Sequence, residues 1–270
     1  MARIVADAAI LLASICGPDP EDAATQTAPP IDDDLKTLVL NRDALNGARI
    51  GVARNYCGFH EGVDALIAIA IDDLRACGAT VIDDLHLKPI ADLRPSEAIL
   101  MSTEFKVGLN AYLAARGQTV DVHTLEDIIA FNREHRDKVM PWFQQELSEK
   151  AQATQGLESE EYLEAVETCR TLSRDQGIDK LISEHELDAI IAPTTCTAWL
   201  IDWVNGDNRS GGSAGPAAIS GYPSVTVPAG YVHDLPVGLS FFSTAWQDAN
   251  LLNLGFAYEQ RTQHRVPPKL

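Results

Sequence analysis

Val5, Ala8, Leu12 and Ile15 recur at helical spacing and stop at Gly17-Pro18, which predicts an opening helix. Residues 18–34 are rich in Pro and Asp and read as a loop. Arg49-Ile50-Gly51-Val52-Ala53 is a compact apolar run of strand length. Val63, Leu66, Ile67, Ala70, Leu74 and Cys77 then form a helical stripe closed by Gly78, and Thr80-Val81-Ile82 is a second strand. Strand, helix, strand in that order predicts a βαβ unit, with parallel strands and a right-handed crossover.

The middle of the chain, about 95–185, has helical periodicity. Thr124 opens one helix, with Leu125, Ile128 and Ile129 inward and Asp127 placed for a capping box. Tyr162, Val166, Cys169 and Leu172 mark another. Residues 148–161 are rich in Glu, Gln and Ser and read as a solvated connection. Beyond 188 the rhythm changes. Ala189-Ile190-Ile191-Ala192 ends at Pro193, Val225-Thr226-Val227 ends at Pro228, and Val237 to Phe242 makes a third strand. Leu251, Leu254 and Tyr258 share one face of a last helix. Fully apolar strands have both faces buried, so the expected class is α/β, a three-layer α-β-α sandwich with a mixed, largely parallel sheet. The five strands are expected to share one sheet.

Charge narrows the function. The formal net charge of −18 opposes binding to phosphate backbones and to anionic lipid, so neither nucleic acid nor membrane is an expected partner. No run approaches the ~18 apolar residues of a spanning helix. The run Ala8–Ile15 follows Asp7, is broken by Ser14 and has Arg3 as its one upstream basic residue, which does not suit a signal peptide. Bulky Ile15 before Cys16 does not suit lipoprotein processing. Five scattered cysteines without CxxC or Cys/His spacing fit reduced thiols in a cytoplasm, and no metal site or cofactor motif is present.

Candidate chemistry gathers in the last third. Ser210-Gly211-Gly212-Ser213-Ala214-Gly215-Pro216 is a Gly/Ser loop in which Pro216 suits the first position of a helix and Ser213 its N-terminus. Ser213 as a nucleophile would need a base. The nearest downstream histidine is His233, across a strand, and no lysine lies between 181 and 268. Cys196 is a second nucleophile candidate, against the commoner role of a buried inert thiol. Thr194 and Thr195 follow a strand at the end where α/β sheets bind ligands, so with Trp199 they are the pocket candidates; a self-bonded turn is the alternative. Trp142 and Trp203 could also edge a pocket, and His135 reads as a surface residue.

In this order the pieces resemble the amidase signature family. Met1 to Leu12 is similar to the helix after the family's catalytic region, and Gly47 to Val52 to its next strand. Leu187 to Thr194, Ala217 to Gly230, Leu235 to Phe242 and Ala257 to Gln260 resemble recurring family segments. The resemblance implies the C-terminal part of the amidase signature fold, residues 1–270 forming a single partial domain. It implies hydrolysis of carboxamide C–N bonds through a serine, a second serine and a lysine that all lie upstream of this sequence. No catalytic residue can therefore be carried onto this chain, which is expected to be inactive alone. A small amide is the expected ligand once the missing part is supplied, with a second copy or a partner chain as the assembly. The alternatives are an independent serine or cysteine hydrolase using Ser213 or Cys196, and a binding subunit of a split amidase.

Overall fold

A computed structural model describes residues 1–30, 39–87, 90–117 and 120–268. The chain divides into two compact units. The first comprises Met1–Lys88, Ser173–Ile201 and Asp207–Leu270; the second comprises Pro89–Leu172 and Asp202–Gly206.

The first unit is built on one five-stranded sheet. Its strands are β1 (Arg49–Ala53), β2 (Thr80–Leu85), β3 (Ala189–Pro193), β4 (Ser224–Val232) and β5 (Leu235–Phe242), in the order β2-β1-β3-β5-β4. β1 pairs parallel with β2 and with β3. The helix α2 (Glu61–Ala76) makes the predicted crossover between β1 and β2, its stripe of Val63, Ile67, Ala70 and Leu74 buried. Gly78 ends that region with φ +90, a left-handed conformation that favours glycine. β3–β5 and β5–β4 are antiparallel, so the sheet is mixed and half antiparallel instead of largely parallel. The tight β4–β5 connection at His233 and Asp234, both at positive φ, is a hairpin, and a hairpin forces antiparallel pairing.

Every residue of β3 is buried, and they alternate between two apolar clusters. Ala189 and Ile191 face the cluster built with Val5 and Ala9 of α1 (Val5–Ile15), Ile67 of α2, and Leu251, Leu254 and Tyr258 of α10 (Asp248–Thr262). Ile190 and Ala192 face the other, with Tyr56, Leu85, Leu181 of α8 (Asp179–His185) and Ala217 of α9 (Ala214–Ser220). This is the period-two signature of a strand buried on both sides. Burying one such Ile or Phe contributes about 1.5–3 kcal/mol.

The second unit is helical: α3 (Ile90–Ala115), α4 (Leu125–Glu134), α5 (Arg136–Val139), α6 (Glu146–Gln152) and α7 (Glu160–Arg170). The capping box at Thr124 and Asp127 is present as predicted. Leu125, Ile129 and Ala151 form its small core. The Lys106 ammonium donates to the carbonyls of Gln152 and Thr154 at 2.7 and 2.8 Å, a cation placed at the negative end of α6.

Four local expectations are corrected. Val5 and Ala9 are the buried residues of α1 and Leu12 packs beside them, so the predicted stripe fails at its end, where Ile15 is 73% exposed. Residues 148–152 of the expected solvated connection belong to α6, because Ala151 has a core to enter. β4 continues through Pro228, with a register shift between Pro228 and Gly230; as a sheet edge it tolerates a residue without N–H. The loop expected over 18–34 contains a 3-10 turn at Ala23–Thr27, and residues 31–34 lie outside the described residues.

Candidate functional site

β3 delivers the chain to the sheet's end at Pro193, and Thr194 to Ser213 leave from there before α9 begins. Two glycines let this loop close back on the strand. At Gly212, φ is +141, and an added Cβ would lie 2.7 Å from the Thr194 carbonyl oxygen and 2.8 Å from Thr195 Cα. Thr195 and Gly212 form an antiparallel bridge, and the Ser213 N–H donates to the Thr194 carbonyl at 3.2 Å. At Gly211 an added Cβ would meet the Phe59 ring at 2.2 Å, so glycine admits the ring against the loop.

Thr194 is half-buried and holds a hydroxyl trio. Its Oγ1 is 2.5 Å from Thr226 Oγ1 on β4 and 2.8 Å from Ser240 Oγ on β5. Its N–H donates to the Gly238 carbonyl at 2.8 Å. Gly238 makes this possible, since a Cβ there would lie 2.7 Å from both threonine hydroxyls. Three hydroxyls, one from the turn after β3 and one each from β4 and β5, can orient an amide's C=O and N–H by hydrogen bonding. They offer no acid or base titrating near neutrality. The Thr195 hydroxyl donates to the Gly211 carbonyl at 3.2 Å, so it braces the loop. The Trp199 indole N–H donates to the Asp207 carboxylate at 3.0 Å, and that ring is 39% exposed. The three pocket candidates thus lie on one loop, but they do not form one cluster: Thr194 bonds into the sheet, Thr195 and Trp199 within the loop. Thr226 and Ser240 were invisible as partners, because strand register is not written in local sequence. Trp142 and Trp203 pair in the second unit, with ring centroids 4.8 Å apart. His135 stacks on Phe131 at the surface.

Both nucleophile candidates are buried. Ser213 is 2% exposed, and its hydroxyl donates to the Pro193 carbonyl at 2.9 Å. It precedes α9 without capping it, and Pro216 stands at the helix's third residue instead of its first. His233 lies in the hairpin tip six residues beyond Val227, roughly 20 Å further along the strand. Cys196 is 4% exposed. Burial pushes its thiol up, but hydrogen bonds from Ser210, Thr195 and Gly211 together outweigh it and leave the thiol below its ordinary value. Burial dominates for the other cysteines, Cys16, Cys57, Cys77 and Cys169, and pushes them up. Among the described residues no group of three or more His, Cys, Asp or Glu is arranged to hold a metal, and no helix is long and apolar enough to cross a membrane.

Comparison with known proteins gives this geometry its context. The family model described as Amidase matches residues 1–252. A probable amidase of Arabidopsis thaliana is 35% identical over 275 residues, covering 99% of this chain and 48% of the relative. A glutamyl-tRNA(Gln) amidotransferase subunit of Pseudomonas aeruginosa is 30% identical, covering 96% of this chain and 54% of the relative. The structure of the native peptide amidase from Stenotrophomonas maltophilia superposes with a TM-score of 0.90 at 39% identity, over 100% of this chain and 54% of that one. The chain spans about half the length of the curated relatives it matches.

Proposed function

Because the chain belongs to the amidase signature family, we propose that it is the C-terminal portion of an amide hydrolase, with peptide amides as its substrate class. The observation that carries this reading is the 39% identity to a peptide amidase along the entire chain, while only 54% of that enzyme is spanned. The reaction is hydrolysis of a carboxamide: water forms a C–O bond to the carbonyl carbon, the C–N bond breaks, and the products are a carboxylate and an ammonium ion. This chain's part is scaffold and pocket wall, in a single partial domain that completes a three-layer sandwich with the rest of the fold. The trio of Thr194, Thr226 and Ser240 would hydrogen-bond the amide, and Thr195 and Trp199 would hold the loop that carries it. The nucleophile and its activating groups come from the other half, since Ser213 has its hydroxyl committed to a carbonyl and no base beside it among the described residues. We assign the chain to the cytoplasm, in keeping with five free cysteines and a strongly acidic surface.

The test is turnover of a peptide C-terminal amide, read as released ammonia. The isolated chain should show none above background, and co-expression with the N-terminal half of the Stenotrophomonas maltophilia peptide amidase should produce it. Turnover by the isolated chain that disappears in Ser213→Ala or Cys196→Ala would replace this reading with an independent hydrolase.

A further inference from the structure

We propose that the outer stripe of α3, a helix wholly within the second unit, is a homodimer interface: two copies of this chain pair through it antiparallel, about a two-fold axis between Lys106 and Val107. Neither the stripe nor its partner depends on the hydrolase reading above.

The stripe is Ala98, Met101, Phe105, Gly108, Tyr112 and Ala115, and all six are exposed. Their spacing alternates between three and four, which is the a/d repeat of a coiled-coil seam. The stripe carries no charge. Glu104 and Lys106, the two charged residues in that stretch, are engaged inside the unit. Glu104 accepts the Tyr162 hydroxyl at 2.8 Å, and Lys106 reaches the carbonyls at the end of α6. Met101, Phe105 and Tyr112 are 61, 49 and 56% exposed. Single exposed apolar residues are ordinary, but three large ones in one row mark an interaction surface.

Gly108 points to a partner. Glycine is the poorest helix former after proline, and this one stands inside a 26-residue helix in ordinary helical backbone. An added Cβ would meet nothing within 4 Å, so no neighbour in this chain requires a glycine there. What it provides is a gap in the stripe for a side chain arriving from outside.

The stripe fills its own gap. In antiparallel pairing an a position faces a d position of the partner, and a two-fold axis makes each contact occur twice. With the axis between Lys106 and Val107, Phe105 faces the second copy's Gly108 and Met101 faces the second copy's Tyr112. Ala98 faces the second copy's Ala115. The Phe105 ring then enters the gap, and the thioether meets an aromatic ring, a favourable contact. The same register sets Glu97 opposite the second copy's Arg116, so opposite charges meet at both ends. Arg116 also stacks on Tyr112 of its own chain, 4.8 Å from the ring centroid. Shifting the register by a heptad in either direction takes Met101 or Tyr112 off the end of the stripe.

The paired stretch from Ala98 to Ala115 is about 25 Å long. Half-exposed Phe105 and Tyr112 bring about 100 Å² each. With Met101 and the small residues, the two copies together bury about 800 Å², short of the 1,200 Å² or so of a standard interface, so the dimer is reversible.

Sedimentation equilibrium of the full chain between about 1 and 200 μM reads this association. A monomer–dimer equilibrium is expected, and Phe105→Glu should weaken it about tenfold or more, with the fold checked by far-UV circular dichroism. Gly108→Ala should keep or raise the melting temperature, because its methyl has room in the monomer, and still weaken the dimer. A merely structural glycine would not split the two readouts. Glu97→Arg and Arg116→Glu should each weaken the dimer, and the double variant should restore it, which reads the register. A chain that stays monomeric over the whole range overturns the proposal. So do oligomers indifferent to Phe105→Glu. Displacement of the dimer by the N-terminal half of the Stenotrophomonas maltophilia peptide amidase overturns it too, and gives the stripe to that half.

Discussion

Replacing Gly212 with alanine should unfasten the loop that carries the candidate site. Two costs add. At φ +141 an L-residue is in a region nearly reserved for glycine, a strain of about 1–3 kcal/mol. The new Cβ would also stand 2.7 Å from a backbone oxygen and 2.8 Å from a backbone Cα, atoms that cannot rotate away. Relieving that clash moves the loop off β3 and stretches the Ser213 N–H to Thr194 bond and the Cys196 N–H to Gly211 bond, about 1 kcal/mol each. Together the expected loss is about 3–5 kcal/mol, a large share of the 5–15 kcal/mol that holds a domain. Urea titration followed by tryptophan fluorescence measures it. Gly58→Ala is the control: its φ is +85 but nothing lies within 4 Å of the added Cβ, so it isolates backbone strain from collision. If Gly212→Ala is no more destabilising than Gly58→Ala, the close approach of loop and strand is not as described.

Other outcomes follow from charge. The Glu259 carboxylate accepts the Val5 N–H at 3.1 and 3.2 Å and is 8% exposed. Burial raises it above the ordinary carboxylate value, against the lowering effect of that N–H. The folded state therefore holds this proton more tightly than the unfolded chain does. Its contribution is fullest below the unfolded value and is lost as pH rises through the folded one. Glu259→Gln should flatten the pH dependence of stability just above the carboxylate range, measured by thermal melts between pH 4 and 7 (about the span of interest). Asp83 behaves oppositely: its hydrogen bonds with Arg54 lower it, so its contribution is present at neutral pH and lost on acidification through the folded value. Since both partners are about one-third exposed, Asp83→Asn should cost no more than about 1 kcal/mol at pH 7 and nothing at acid pH, by urea titration.

Periodicity carried most of the first unit. The stripe from Val63 to Leu74 and the runs at 49–53 and 189–192 each had one structural solution, because an apolar run bounded by Gly or Pro must find a core. The stripe from Val5 to Ile15 misled because α1 is apolar on more than one face, so spacing could not say which face packs first. Residues 148–152 looked solvated by composition, yet one small residue, Ala151, sufficed to seat a helix against Leu125 and Ile129. The candidate site was half legible. Thr194 was marked by its place after an apolar strand, but its partners Thr226 and Ser240 depend on the pairing of β5 between β3 and β4. No local feature of residues 224–242 states that pairing.

If, as proposed, this chain contributes walls and scaffold to an amide hydrolase, the nucleophile lies in the other half. Labelling with a fluorophosphonate serine probe tests it directly, with intact-mass and peptide analysis of the isolated chain and of its complex with the N-terminal half-domain. No adduct is expected on the isolated chain, Ser213 included, and one adduct in the complex, on the half-domain. Stoichiometric labelling of Ser213 in the isolated chain, with loss of amide turnover, would contradict it.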